Sequence, residues 1–149
     1  MIRKAELRDT NSIVLLAKEF FRESVGNYGL TIDLGTIITT IDGYITNMVS
    51  IVVEVDGKVV GVIGGMMLPS IFDRNQIIGQ ETIWFVDKEH RKGNIGLKLI
   101  KALEEECLSQ GANLIIMGLM GNLNTDILDK YYSRHGYKLL EREYIKRFS

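Results

Sequence analysis

The chain has 149 residues, of which 46% are apolar, and its 18 lysines and arginines nearly balance its 19 aspartates and glutamates. This composition can bury a sizeable core, and we predict a single domain over residues 1–149. The balanced charge excludes the global positive field with which proteins hold nucleic acid or an anionic membrane surface. With one cysteine and two histidines, the chain cannot form an internal disulfide, and we expect no metal site.

The sequence of the first residues bears on cellular location. Residues 1–9 (MIRKAELRD) lack the apolar core of a signal peptide, and no apolar run approaches the length of about 20 residues that spans a membrane. We therefore expect a soluble, cytoplasmic protein that binds neither membrane nor nucleic acid. The oligomeric state stays open, with a homodimer as one option.

The first third of the chain predicts one strand and two helices. Ile2 to Glu6 fits a short strand, and a helix begins at Asp9 or Thr10, which are both suitable N-caps. Apolar residues then follow helical spacing as far as about Ser24, and the same spacing returns between Leu34 and Ile45.

Three strands are predicted next. The segments SIVVEV and KVVGVIGGMML flank Asp56 and Gly57, two residues that tolerate positive φ and therefore predict a hairpin turn. A polar connection runs from Pro69 to Gln76, and the segment IIGQETIWFV predicts a third strand that ends at Val86.

The last third adds two helices and two strands. We predict a helix from Gly96 to about Cys107, a strand from Asn113 to Met120, a helix from Asp126 to Arg134 that ends near Gly136, and a final strand in YKLLEREYIKRF. The predicted fold class is α/β (α+β), in the order β-α-α-β-β-β-α-β-α-β. Residues 77–120 should form a parallel strand-helix-strand unit in an otherwise antiparallel sheet.

The loop before the third helix reads EHRKGNIGLKLI. A loop that enters a helix has backbone N–H groups without intrahelical partners, and the helix dipole favours an anion there. Gly93 and Gly96 would let the backbone approach a phosphate, while Arg91 and Lys92 would supply mobile positive charge. The alternative is an ordinary turn, since neither G-x-x-x-x-G-K-[ST] nor G-x-G-x-x-G is present.

The segment WFVDKEHRKGNIGLKLIKAL resembles the acetyl-CoA-binding motif of the GNAT superfamily of N-acetyltransferases. The family signature is [QR]-x-x-G-x-[GA] followed by an apolar pair, and Arg91, Gly96, Leu99 and Ile100 fit it. Asn94 stands where the signature has its first glycine, and we predict that it holds a positive φ, which asparagine adopts more readily than most residues. The segments VEVDGKVVGVIGG and DKYYSRHGYKLLERE resemble two further parts of the family's sequence.

The resemblance implies a mixed, mostly antiparallel sheet with helices on both faces, whose fourth and fifth strands splay apart. The pantetheine arm of acetyl-CoA would enter this gap and pair with main-chain groups of Phe85 and Val86. The pyrophosphate would face the N–H groups of the loop that contains Arg91, Lys92, Gly93, Asn94, Ile95 and Gly96. Asn124 or Thr125 stands close to a family asparagine that contacts the cofactor.

The resemblance also implies a reaction, the transfer of an acetyl group to a primary amine by direct attack in a ternary complex. Tyr132 matches the family tyrosine that often protonates the departing thiolate, and the alternative is that it only packs or bonds the cofactor sulfur. Glu81 is the candidate base that deprotonates the amine, with a water relay or simple exposure to solvent as alternatives. We expect Glu81 to share strand parity with Ile83 and Phe85. Cys107 lies on an apolar helix stripe, so packing is its expected role.

The amine acceptor is a small molecule or a peptide. Tyr28 lies between Gly26 and Gly29 in the connection SVGNYGLTI, a segment that could close over a substrate. A different interpretation is a GNAT fold that binds acetyl-CoA, or nothing, as a regulatory or interaction module, and Asn94 is the residue that favours it.

Overall fold

The computed structural model describes residues 1–119 and 126–148. Its strands and helices, in chain order, are β1 (Ile2–Lys4), α1 (Thr10–Glu23), α2 (Leu34–Asn47), β2 (Val49–Val55), β3 (Lys58–Pro69), β4 (Ile77–Val86), α3 (Ile95–Ser109), β5 (Leu114–Ile116) and α4 (Asp126–Arg134). The predicted order is confirmed from the first strand to the fourth helix.

The five strands form one sheet in the order β1-β2-β3-β4-β5. The pairs from β1 to β4 are antiparallel, and β5 lies parallel to β4. The tight turn between β2 and β3 consists of Asp56 with φ 50° and Gly57 with φ 76°. Two consecutive positive φ angles match the right-handed twist of a hairpin, so this prediction is confirmed.

The sheet separates two apolar layers because successive strand residues point to opposite faces. On one face, Val52 and Val62 pack with Ile13 of α1 and Ile41 of α2. On the other face, the buried residues of β2 and β3 pack against one side of α3, and this layer contains Val49, Ile51, Val53, Val60, Ile63, Leu99, Ile100, Leu103 and Cys107. Helices therefore cover both faces, as expected, and Cys107 has the predicted packing role.

The predicted final strand is wrong. Residues 137–148 form no strand, and every side chain from Lys138 to Phe148 is exposed. The prediction took the segment that follows the last helix as a strand, but a strand also needs a neighbouring backbone to complete its hydrogen bonds. The strand at this end of the sheet, β5, spans only Leu114–Ile116 and offers a short edge.

Two further properties of the described residues bear on the kind of site to expect. No helix within residues 1–119 and 126–148 is both long and apolar enough to cross a membrane. The same residues contain no group of three or more histidine, cysteine, aspartate or glutamate side chains that could hold a metal ion.

Candidate active site

The sheet opens between β4 and β5. The parallel ladder joins these strands only from the pair Ile78 and Leu114 to the pair Gln80 and Ile116, although β4 continues to Val86. From Glu81 onward, β4 pairs with β3 on one side, and its other side has no strand partner among the described residues. The structure therefore contains a gap of the kind that the resemblance implies.

The register of β3 and β4 determines which backbone groups face this gap. The Asp87 N–H donates to the Val60 carbonyl over 2.8 Å, and Phe85 lies opposite Val62. Because antiparallel pairs alternate, the backbone groups of Phe85 point toward β3, whereas those of Trp84 and Val86 point away from it. Val86 thus offers its backbone to the gap as expected, while the backbone of Phe85 is used within the sheet.

The loop after β4 is held by Asp87. Its carboxylate accepts hydrogen bonds from the Glu89 N–H at 2.9 Å and from Lys58 Nζ at 3.2 Å. The Glu89 hydrogen bond contributes most to lowering the pKa of Asp87, and Lys58 adds to it. The anionic form of Asp87 therefore fixes a short 3₁₀ turn, Lys88–His90, at the mouth of the gap.

Helix α3 begins directly above this loop. Asn94 is its N-cap residue, but the Asn94 side chain makes no capping hydrogen bond. The first bond of this helix joins the Lys98 N–H to the Asn94 carbonyl at 3.0 Å. The N–H groups of residues 94–97 therefore have no intrahelical acceptor, and the positive end of the helix dipole lies at the same place.

The prediction that Asn94 has a positive φ is wrong. Asn94 has φ −98°, and among the described residues Asp56 is the one non-glycine residue with positive φ. Gly93 and Gly96 also have ordinary φ values, since neither belongs to the positive-φ glycines. The loop reaches α3 through conformations open to any residue, so asparagine in place of the signature glycine costs no backbone strain.

The two loop glycines differ in what surrounds them. A Cβ on Gly93 would meet nothing within 4 Å, whereas a Cβ on Gly96 would lie 3.3 Å from Cζ2 of Trp84. Gly93 therefore leaves open space at the mouth, as a ligand would need. Gly96 instead makes room for the Trp84 ring beneath the first turn of α3.

Arg91 is not the mobile cation that its sequence position suggested. Its Nε donates to the Val86 carbonyl at 2.8 Å, and its Nη1 lies 2.5 Å from Oε2 of Glu23 at the end of α1. Lys92, by contrast, is exposed, and its role as a mobile positive charge stays a prediction. Glu23 was missed by sequence reasoning because it lies 68 residues from Arg91.

Glu81 reaches the gap through an irregularity in the sheet. The register shifts between Gly64 and Gly65, which pair with Ile83 and Glu81, so Thr82 is an extra residue. Such a bulge breaks the alternation of side chains. Ile83 and Phe85 contact the layer of α1 and α2, whereas Glu81 bonds to Gly118 beyond β5. The predicted shared parity is therefore wrong.

Glu81 and Tyr132 contact the backbone of the same residue, Gly118. The Gly118 N–H donates to Oε2 of Glu81 at 3.2 Å, and the Tyr132 hydroxyl donates to the Gly118 carbonyl at 3.3 Å. Burial raises the pKa of Glu81, although the hydrogen bond from Gly118 opposes the shift. Burial also raises the pKa of Tyr132, and the charge of Glu81 adds to this increase. At neutral pH the pair thus combines a more basic carboxylate with a protonated phenol.

A groove of about 400 Å³ lies beside the start of α3, between α3 and α4. Tyr131 and His135 of this groove stack with ring centroids 3.9 Å apart, and Lys98 and Lys101 supply its positive charge. Sequence reasoning did not identify the groove, because it depends on how α4 packs against α3.

The remaining predicted site residues are Tyr28, Asn124 and Thr125. Tyr28 lies half-buried in the 3₁₀ turn Val25–Tyr28, and its substrate role stays a prediction. The next residue, Gly29, has φ 78° and lies against the guanidinium of Arg147, which brings the C-terminal segment over the connection between α1 and α2. Asn124 and Thr125 lie outside the described residues.

The profile of the Acetyltransferase (GNAT) family matches residues 15–137. The chain belongs to this family. Comparison with curated proteins found no match. The family assignment is therefore carried by the profile together with the fold.

Solved structures of similar fold agree with this assignment to the GNAT family. A ribosomal-protein-alanine N-acetyltransferase from Brucella melitensis biovar Abortus 2308 has a TM-score of 0.73 at 18% identity, over 100% of this chain and 99% of that chain. The aminoglycoside N-acetyltransferase AAC(6')-Iy in complex with CoA has a TM-score of 0.73 at 14% identity, over 99% and 93%. A transcriptional regulator from Bacillus halodurans C-125 has a TM-score of 0.79 at 16% identity, over 99% of each chain.

Membership in the GNAT family makes acyl transfer the expected class of activity, and the described residues fit acyl-CoA. The gap offers backbone groups of Trp84 and Val86, and the start of α3 offers free N–H groups for a pyrophosphate. Amide groups of a pantetheine arm can add to a strand edge in the manner of a peptide.

Proposed function

We propose that this protein, acting as a single domain, transfers an acetyl group from acetyl-CoA to a primary amine by direct attack in a ternary complex. The observation that carries the proposal is that Glu81 and Tyr132 both contact the backbone of Gly118, at the gap between β4 and β5. Acetyl-CoA supplies an activated thioester when bound. The two side chains supply the proton transfers that the reaction needs.

The proposed binding residues follow from the geometry of the gap. The Val86 backbone pairs with the pantetheine arm, and the N–H groups from Arg91 to Gly96 face the pyrophosphate. The side chains of the groove, above all Tyr131, Lys98 and Lys101, face the nucleotide end of the molecule. An aromatic ring can stack on the base of an adenosine phosphate, and positive side chains can pair with its phosphate groups.

Glu81 acts as the base in this proposal. A primary amine in water at neutral pH is mostly protonated and has no lone pair for attack, so a proton must leave first. The buried position of Glu81 raises its pKa and thereby makes its carboxylate a stronger base. Gly118 holds the carboxylate in place through its N–H.

Tyr132 acts as the acid. The amine nitrogen forms a bond to the acetyl carbon and the bond from carbon to sulfur breaks. Of the two protons that the ammonium nitrogen loses, Glu81 takes one before the attack and water takes the other as the amide forms. Tyr132 gives a proton to the departing sulfur, and the phenolate regains one from water. The raised pKa of Tyr132 keeps the hydroxyl protonated until the thiolate forms.

The test measures acetyl transfer and binding separately. The protein is incubated with acetyl-CoA and a panel of amines, and release of free CoA thiol is followed while calorimetry measures acetyl-CoA affinity. The panel includes peptides with N-terminal alanine and an aminoglycoside, since two structural neighbours carry these substrates in their names. Binding without any transfer would favour the alternative function, a regulatory or interaction module that binds acetyl-CoA, and absence of binding would refute the proposal.

Tyr132→Phe tests the acid in the same assay. A positioned acid contributes about 10²–10⁴-fold, so we expect a loss of at least about 10²-fold in the single-turnover rate with little change in acetyl-CoA affinity. The matched control is Tyr44→Phe, which removes a half-buried hydroxyl bonded to Thr82 at 2.6 Å on the α2 side of β4. The acid role is wrong if both variants keep the parent rate.

A further inference from the structure

Glu23 occupies an unfavourable place for a carboxylate unless it has a partner. It is the last residue of α1, where the helix dipole is negative and a second negative charge is destabilising. Its side chain is 28% exposed, and its Oε2 lies 2.5 Å from Nη1 of Arg91. The ion pair joins the end of α1 to the loop that we propose binds the pyrophosphate.

The partner of Glu23 blocks a group that acyl-CoA needs. Arg91 Nε donates to the Val86 carbonyl at 2.8 Å, and this carbonyl is among the backbone groups that point away from β3 into the gap. One guanidinium therefore bridges a carboxylate and the backbone acceptor at the end of β4. While both contacts hold, the guanidinium lies against the Val86 carbonyl on the side of the gap, and Arg91 Nη1 is directed to Glu23 and not to a ligand.

We propose that Glu23 is a positioning residue that holds Arg91 in a closed contact across the end of the gap, and that acyl-CoA binding has to open this contact. The inference rests on the proposed function. On opening, the guanidinium leaves Glu23 and Val86 and pairs with the phosphates, which are the stronger bidentate partners. The freed Val86 carbonyl then accepts from an N–H of the pantetheine arm.

Two electrostatic effects fix the sign of the expected result. In the free protein, the ion pair with Glu23 stabilises the closed contact. In the bound protein, the carboxylate of Glu23 repels the incoming phosphates and competes for Arg91. Both effects oppose binding, so Glu23→Gln should tighten it. Because the ion pair is partly exposed, its contribution is modest, and we expect a gain in affinity of up to about five-fold.

The experiment compares the parent, Glu23→Gln and Glu19→Gln in the full chain, with CoA as the probe. Glu19 lies one turn earlier on the same helix, and the described residues show no ion pair to it, so it controls for the loss of a negative charge near the site. Calorimetry gives the affinity. Stopped-flow fluorescence gives the association rate, because Trp84, the single tryptophan of the sequence, lies beneath the first turn of α3.

The expected results are tighter binding and faster association for Glu23→Gln, and parent behaviour for Glu19→Gln. The gain should shrink in 1 M salt, where the screening length is about 3 Å. A direct readout is the ¹³C resonance of the Val86 carbonyl, which should move in ligand-free Glu23→Gln as Arg91 is released.

Four outcomes overturn the proposal. Unchanged or weaker CoA binding by Glu23→Gln, or an unmoved Val86 resonance, refutes the closed contact while the proposed function stands. An equal gain for Glu19→Gln shows a general charge effect and also refutes it. If the parent binds no CoA at all, the proposed function fails and this inference falls with it.

Discussion

Replacement of Gly96 by valine tests the contact between the loop and β4. A Cβ at this position would lie 3.3 Å from Trp84 Cζ2, so the neighbour must move by a few tenths of an ångström, and the two valine methyl groups add further overlap. Overpacking of this kind costs about 1–3 kcal/mol. Valine is favoured over glycine within a helix by about 0.4 kcal/mol, which leaves a net loss of about 1.5 kcal/mol in the free energy of unfolding.

Gly93→Val is the matched control, because a Cβ there meets nothing within 4 Å. Both variants restrict the unfolded chain equally, so that contribution cancels in the comparison. Thermal unfolding followed by circular dichroism should show a midpoint roughly 3–6 °C lower for Gly96→Val than for Gly93→Val. Equal midpoints would show that the Trp84 ring moves aside without cost and would refute the packing argument.

Two further changes test the buried groups of β4. Glu81→Gln should raise the free energy of unfolding at pH 7, because burial raises the pKa of Glu81 and so favours its neutral form. The sign follows from linkage: the stability that the parent gains from protonated Glu81 is lost as pH rises through the pKa of Glu81 in the folded state. The advantage of Glu81→Gln should therefore disappear in acid. Denaturant titrations in which this advantage stays constant with pH would contradict the argument. Gly79→Ala places a Cβ 2.8 Å from Sγ of Cys107 and should cost about 1–3 kcal/mol. Addition of Cys107→Ala should recover part of that loss, and strictly additive losses would rule out the contact.

The fold could be predicted where local rules decide the structure. The turn at Asp56 and Gly57 and the helix that buries Leu99, Ile100 and Leu103 follow from residue preferences and spacing within a few positions. The predicted final strand failed because strand formation depends on a pairing partner elsewhere in the chain, which the residues of Tyr137 to Phe148 do not reveal. Residue composition is a property of the segment, but pairing is a property of the fold.

The candidate site could be predicted in part. The loop from Arg91 to Gly96 and the two side chains Glu81 and Tyr132 were identified by resemblance, but their orientations were not. The bulge at Thr82 changes the direction of the Glu81 side chain, and this bulge depends on the pairing of β3 with β4. The partner of Arg91 is equally hidden, since nothing in the sequence near Arg91 points to Glu23. Long-range pairing therefore set the limit of the prediction.

The charge of Glu81 couples the two proposed catalytic groups, which both contact the backbone of Gly118. Burial is the largest cause of the raised pKa of Tyr132, and the negative charge of Glu81 raises this pKa further. In the proposed reaction, Glu81 loses its charge when it accepts a proton from the amine, and that part of the increase in the pKa of Tyr132 disappears. Tyr132 then becomes a stronger acid at the stage at which the thiolate needs a proton. The charge of Glu81 thus changes the acidity of Tyr132, so the effects of Glu81→Gln and Tyr132→Phe on the single-turnover rate should be non-additive.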